Sequence, residues 1–148
     1  MSRNPEDLVF VDTNILAYAH DTSEEVKQAI AKDFLDELWE SERGALSTQV
    51  LQEFYVVATR KFEPALSRKE AREIVSNYGE WHLVRIDLIL IINASRLEEQ
   101  HQLSFWDALI VEAARRSGAT RLLSEDLSSG SIIEGIAIEN PFDLRRLE

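Results

Sequence analysis

The apolar run Leu8-Val9-Phe10-Val11 ends at Asp12 and passes directly into Thr13-Asn14-Ile15-Leu16. A short continuous apolar stretch reads as a strand buried on both faces, and the polar residues after it open a helix. A strand feeding straight into a helix begins a βα unit, and strands alternating with helices build a parallel sheet. The transition also leaves a carboxylate at the carboxyl end of the strand, the edge at which open parallel sheets bind ligands. The pattern recurs late in the chain, where Leu122-Leu123 runs into Ser124-Glu125-Asp126. Two acids are therefore predicted at one sheet edge.

The intervening sequence supports alternation. A strand over about 8–12 is followed by a short helix from Asn14, then by a long amphipathic helix opened by a Thr22-x-x-Glu25 capping box, with Gly44 as its terminator. A short strand at 45–46 leads to Ser47-Thr48 as cap of a helix running to about Phe62 and closed by Pro64. Ser67-Arg68-Lys69-Glu70 forms a second capping box, for a helix ending near Gly79. The next strand is expected over 83–86, with Asp87 capping a helix; the β-branched stretch Leu88 to Ile92 also suits a strand, but the pattern continues to Leu97, which favours helix. A helix from Ser104, apolar around most of its circumference, stops at Gly118. Strands near 121–124 and 136–138 complete an α/β class fold: one domain over 1–148, helices on both faces of a mostly parallel sheet.

The chain has 148 residues, 45% of them hydrophobic, which suffices for one well-formed core. No stretch nears the roughly 20 apolar residues that span a bilayer, and residues 1–7 lack the layout of a secretory signal. A soluble, cytoplasmic protein with no membrane association is expected. The absence of cysteine excludes thiolate ligation of zinc, and the scattered His20, His82 and His101 make no recognised zinc spacing, so a bound metal would be held mainly by oxygen. The net charge of −11 opposes binding of a polyanion, so nucleic acid would need bound cations or local basic clusters. Candidates are Arg60-Lys61, Arg68-Lys69 with Arg72, and Arg115-Arg116 with Arg121; each equally suits a solvated helix face.

Four carboxylates bear on chemistry. Glu53 lies three after Val50 and one before Phe54, on the inward stripe of its helix, where a carboxylate needs a cation, a metal or a route to water. Asp107 shares the apolar face of the late helix, being three before Ile110, but also completes Ser104-x-x-Asp107, where an acid near a helix amino end is favoured by capping and the dipole. Asp12 also suits an N-cap, and Asp126 a turn residue. Taken together, two acids at strand ends and two on inward helix faces can meet at one edge with no compensating base, and their repulsion calls for cations. Hard oxygen ligands favour Mg²⁺ or Mn²⁺, and such ions bridge to phosphate, which points to phosphodiester hydrolysis by metal-activated water. Asn14 and Ser124 are placed to orient water or phosphate, or to serve caps and turns.

Val11-Asp12-Thr13-Asn14-Ile15-Leu16, Ser47 to Phe54, Leu103-Ser104-Phe105-Trp106-Asp107-Ala108-Leu109-Ile110, Leu123-Ser124-Glu125-Asp126-Leu127 and Asn140-Pro141-Phe142, in that order, resemble the motifs of PIN-domain proteins and, among them, VapC-type toxins of toxin–antitoxin pairs. The resemblance covers nearly the whole chain. It implies a three-layer α/β/α sandwich around a mostly five-stranded parallel sheet and Mg²⁺- or Mn²⁺-dependent endoribonuclease activity. It also implies neutralisation by a VapB-like antitoxin and assembly into homodimers or higher oligomers, for which Trp39 and Trp81 are candidate exposed apolar contacts. It assigns Asp12, Glu53, Asp107 and Asp126 as the catalytic, metal-binding quartet, with Asp12 and Asp107 as direct ligands and Asn14 and Ser124 beside them.

Rival readings differ in motif. A receiver-like domain would carry adjacent acids after its first strand and a lysine after its last. A haloacid-dehalogenase-type phosphatase would need Asp-x-Asp where this chain has Asp12-Thr13-Asn14. An RNA-processing nuclease of the same fold, or a non-catalytic PIN scaffold for protein or RNA, would share the motifs themselves.

Overall fold

The computed structural model describes residues 7–143; the leading segment, in which no secretory signal is expected, lies almost wholly outside them. In chain order the elements are β1 (Val9–Val11), α1 (Thr13–His20), α2 (Glu25–Ser41), β2 (Gly44–Ser47), α3 (Thr48–Arg60) and α4 (Arg68–Tyr78). Then follow β3 (His82–Val84), α5 (Leu88–His101), α6 (Phe105–Ser117), β4 (Arg121–Leu123), β5 (Ile132–Ile133) and β6 (Ile136–Glu139). The sheet order is β3-β2-β1-β4-β6-β5, with the first five strands mutually parallel and β5 antiparallel to β6. The expected α/β fold with a five-stranded parallel sheet is present, extended by one short antiparallel edge.

Every residue of β1, β2 and β4 is buried, as a sheet covered on both faces requires. On one side α5 packs against α6, which lies over β2, β3 and β4; the other helices form a connected group in which α1 meets α2 and α3, and α3 meets α4. Phe10, Leu46, Leu122 and Ile138 from the strands, with Leu16, Phe54 and Leu90 from helices, form the interior. None of the described helices is long and apolar enough to cross a membrane.

Five helices start where a short polar side chain accepts a hydrogen bond from the first turn: Asp12, Ser47, Ser67, Asp87 and Ser104. Such caps satisfy amide groups that the helix leaves unpaired. At Ser67 the reciprocal bond from Glu70 completes the capping box read from sequence. The Thr22-x-x-Glu25 box is not formed. Asp21 instead accepts from the backbone N–H and hydroxyl of Ser23, and α2 begins at Glu25 with no side-chain cap.

Gly44 does not terminate α2, which ends at Ser41 with Glu42 in the left-handed region. Gly44 opens β2, and its need for glycine is steric: a Cβ there would lie 2.5 Å from the Trp81 ring. Trp81 is accordingly buried, not an exposed oligomer contact. Trp39, at 37% exposure, packs against both Tyr78 and Trp81 with ring centroids 5.1 and 5.2 Å apart.

Candidate functional site

Strand order reverses at β1: its chain successor β2 lies on one side and β4 on the other. Val11 and Leu123 are in register there, so the residues that follow them emerge together at the carboxyl edge, at the topological switch point where open α/β sheets bind ligands. The backbone N–H of Asp12 donates to the Leu123 carbonyl at 3.0 Å, which locks the two strand ends.

From that junction a chain of neutral donors fixes the acids. The Ser124 hydroxyl donates to Asp12 Oδ2 at 2.8 Å and accepts from the backbone N–H groups of Asp126 and Leu127, tying the β4 turn to the β1 acid. The Thr13 N–H donates to Asp12 Oδ1 at 2.7 Å, the cap bond of α1. The Asn14 side chain bridges: its Nδ2 donates to Asp126 Oδ2 at 3.0 Å and its Oδ1 accepts from the Glu125 N–H at 3.2 Å. Glu53, from α3, accepts from the Thr13 hydroxyl at 2.6 Å and from Gln49 Nε2 at 3.4 Å. Asp107 sits in the first turn of α6, where its N–H donates to the Ser104 hydroxyl, leaving its carboxylate to line the cleft. Asp12, Glu53, Asp107 and Asp126 line one cleft of about 540 Å³.

Burial pushes the Asp12 carboxyl up to about 6, with the bonds from Ser124 and Thr13 holding it down and the nearby Glu53 and Asp126 charges adding to the rise. Desolvation disfavours the anion, and two like charges compound it. Among the described residues none of the four acids is in an ion pair. Nor do three acidic or histidine groups among them close tightly enough to enclose an ion directly. The donor set is all hard oxygen, one member is buried without a counter-charge, and the cleft is open. These features fit a Mg²⁺-like ion held by one or two carboxylates and keeping several waters; they do not fit a Ca²⁺-like cage of protein oxygens.

All six polar residues singled out from sequence fall in this constellation, but their environments differ from expectation. Asp12 and Ser124 are buried, whereas Glu53 and Asp126 are exposed and Asp107 is half-buried. Glu53 therefore faces the cleft, not the core: it lies at the edge of the buried stripe of Val50, Phe54 and Ala58, where its charge reaches water. Asp12 and Asp107 also occupy the helix-start positions that the alternative reading gave them, but only Asp12 caps with its own side chain; at α6 the Ser104 hydroxyl is the cap, and Asp107 joins it through its backbone N–H. Of the basic clusters, only Lys61 lines the cleft. Arg115, Arg116 and Arg121 are each committed to a carboxylate, Glu112, Asp87 and Glu139 respectively.

Sequence reasoning missed Thr13 and Gln49, whose roles depend on contacts between α1 and α3. It also missed a latch beneath the site, in which Lys27 of α2 pairs with Glu125 at 2.5 Å and lies 4.6 Å above the Tyr18 ring, while the Tyr18 hydroxyl donates to the same carboxylate. The E-D dipeptide at 125–126 was the available signal, since only one of two adjacent acids can face the cleft.

The PIN domain family model matches residues 9–128. No curated protein matches the sequence. Among solved structures, a toxin–antitoxin complex from Klebsiella pneumoniae is similar at 20% identity and a TM-score of 0.67, covering 90% of this chain and 97% of that one. DNA-bound VapBC from Salmonella typhimurium is similar at 17% identity and a TM-score of 0.62, covering 91% and 98%. VapC20 of Mycobacterium tuberculosis, a sarcin-ricin loop cleaving toxin, is similar at 20% identity and a TM-score of 0.55, covering 77% and 86%. The family match spans the first strand, the switch-point turns and all four cleft acids, and with it the chain belongs to the PIN-domain family.

Proposed function

We propose that this chain is a Mg²⁺- or Mn²⁺-dependent endoribonuclease, the toxin of a VapBC-type pair, acting in the cytoplasm and held inactive by a VapB-like antitoxin. The observation that carries the reading is the gathering of Asp12, Glu53, Asp107 and Asp126 around one cleft at the β1/β4 switch point, with neutral donors and no ion pair among the described residues. Similarity to a toxin–antitoxin complex, to VapBC and to a toxin that cleaves the sarcin-ricin loop supports the choice of RNA and of an antitoxin partner.

In this reading Asp12 and Asp107 would hold the ion, and Glu53 and Asp126 would act on water around it. A divalent ion so held lowers the pKa of water and offsets charge on the phosphate in the transition state. The protein's own part is positional. Ser124 holds one Asp12 oxygen and leaves the other facing Thr13, Asn14 fixes Asp126, and Thr13 fixes Glu53. Preorganised donors of this kind lose little to reorganisation during reaction. Assembly into a homodimer or higher oligomer belongs to the same reading, supported by Leu88, Ile89 and Ile92, which leave an apolar stripe on α5 at 70%, 61% and 42% exposure.

The test is cleavage of total cellular RNA by purified protein with Mg²⁺, with EDTA, and by the Asp12→Asn variant, with fragment ends read by sequencing. Discrete cuts lost in both controls are expected. Cuts that persist in Asp12→Asn would remove the proposed site, and absence of cuts with Mg²⁺ and Mn²⁺ in antitoxin-free protein would remove the activity.

A further inference from the structure

We infer that Trp106 is a base-stacking residue: at the mouth of the acidic cleft it takes the face of an unpaired nucleobase beside the phosphate to be cut. The inference rests on the nuclease reading and deepens it by naming what the cleft grips other than phosphate.

Trp106 stands one residue before Asp107 in the first turn of α6 and is 64% exposed. The other two tryptophans are packed into the Trp39–Tyr78–Trp81 cluster, so this indole is set apart. The buried face of α6 is supplied by Ala108, Leu109, Val111 and their neighbours, which leaves Trp106 without a role in the core. Its backbone is pinned: the Trp106 carbonyl accepts from Gln49 Nε2 at 3.4 Å, and the same nitrogen reaches Glu53. Its ring meets Phe105 at 71°, an edge contact and not a face-to-face stack.

Electrostatics makes such a contact necessary. Among the described residues lining the cleft, Lys61 alone is cationic, against acids that include Asp21 and Glu24 as well as the four above. Cationic side chains on phosphates supply most of the affinity of ordinary nucleic-acid binders, and the lining of this cleft offers only Lys61. Stacking on an aromatic face is indifferent to charge and tolerant of base identity. A base paired within a duplex has no free face to offer, so the substrate class is single-stranded RNA, or a loop whose base swings out.

The probes are a single-stranded oligoadenylate hexamer and an abasic ribose-phosphate hexamer of equal length and charge, with Ca²⁺ in place of Mg²⁺ to limit cutting. Wild-type protein should bind the oligoadenylate more tightly, with quenching of tryptophan emission that the abasic probe does not produce. Trp106→Ala should lose roughly 5- to 150-fold in oligoadenylate affinity, the range measured for one stacked base, and Trp106→Phe should recover most of it. Neither variant should shift the urea midpoint, since the side chain is exposed. For the abasic probe all three proteins should be alike. Equal binding of both probes by wild type overturns the inference, as does undiminished oligoadenylate affinity in Trp106→Ala, which would leave the indole to a protein partner. Either result leaves the nuclease reading standing if RNA is still cut. Base-dependent binding without metal-dependent cutting would instead sink that reading and keep Trp106.

Discussion

At the scale of single residues, Asp12 concentrates the tension in the molecule. Its carboxyl is raised from 3.8 to about 6. The folded protein thus holds this proton more tightly than the unfolded chain, and ionising Asp12 in the fold costs up to about 3 kcal/mol at pH 7. The sign follows: this share of stability is gained as pH falls from about 6 towards 4 and lost as it rises. In EDTA, Asp12→Asn should raise stability at pH 7 by about 1–3 kcal/mol while abolishing cleavage, and should flatten the stability profile between pH 4 and 7. Urea midpoints at pH 7 and pH 5 measure it; equal wild-type and variant slopes would show that Asp12 is not the strained group. The same logic gives a ligand test, because an ion binding only the folded state raises its melting temperature. Mg²⁺ should stabilise wild type and leave Asp12→Asn nearly unmoved, and equal stabilisation of both would place the ion elsewhere. Asn14 works differently, by bridging: Asn14→Asp removes the donor to Asp126 and sets two carboxylates against each other, so cleavage should fall at least tenfold with little change in the wild-type fold.

At the scale of elements, the contact between β2 and Trp81 is the most demanding. Gly44→Ala would drive a methyl into the indole, and overpacking of this kind costs about 1–3 kcal/mol. A lower urea midpoint, partly recovered by adding Trp81→Phe, is expected; an unchanged midpoint would mean the ring moves aside freely. This is also where the limits of the sequence show. Elements with a cap and a sustained apolar period, such as α3, α4 and α6, were legible, because local chemistry and packing agree there. The Thr22 box is absent because the local bonding at this turn is made by Asp21 with Ser23 instead, a choice among neighbouring polar residues that no periodicity reveals. Strand β5 was missed because its hairpin turns on Glu134 and Gly135, both at positive φ, a two-residue turn that a glutamate does not advertise. The site was legible as a set of acids but not as a network, since Thr13–Glu53 and Asn14–Asp126 join residues 40 and 112 positions apart.

At the scale of the whole molecule, the net charge of −11 sets the terms on which the proposed RNA substrate would bind. A protein that neutralises Z phosphates of a single strand loses affinity with salt at a slope of roughly −0.7Z on logarithmic axes. The three arginines of the late cluster are held by carboxylates, Arg60, Arg68, Lys69 and Arg72 are exposed and do not line the cleft, and of these clusters Lys61 alone does. With Z near one or two, raising monovalent salt from 50 to 200 mM should weaken single-stranded RNA binding by less than about tenfold, since added salt also screens the repulsion of the acidic surface. Lys61→Ala should reduce even that slope by nearly one phosphate's share. A loss of about a thousandfold over the same range would mean that a basic surface outside the cleft carries the RNA. On the proposed reading the shallow dependence follows from gathering acids at a sheet edge: specificity would then come from the ion, the stacked base and the shape of the cleft, and long-range attraction would contribute little.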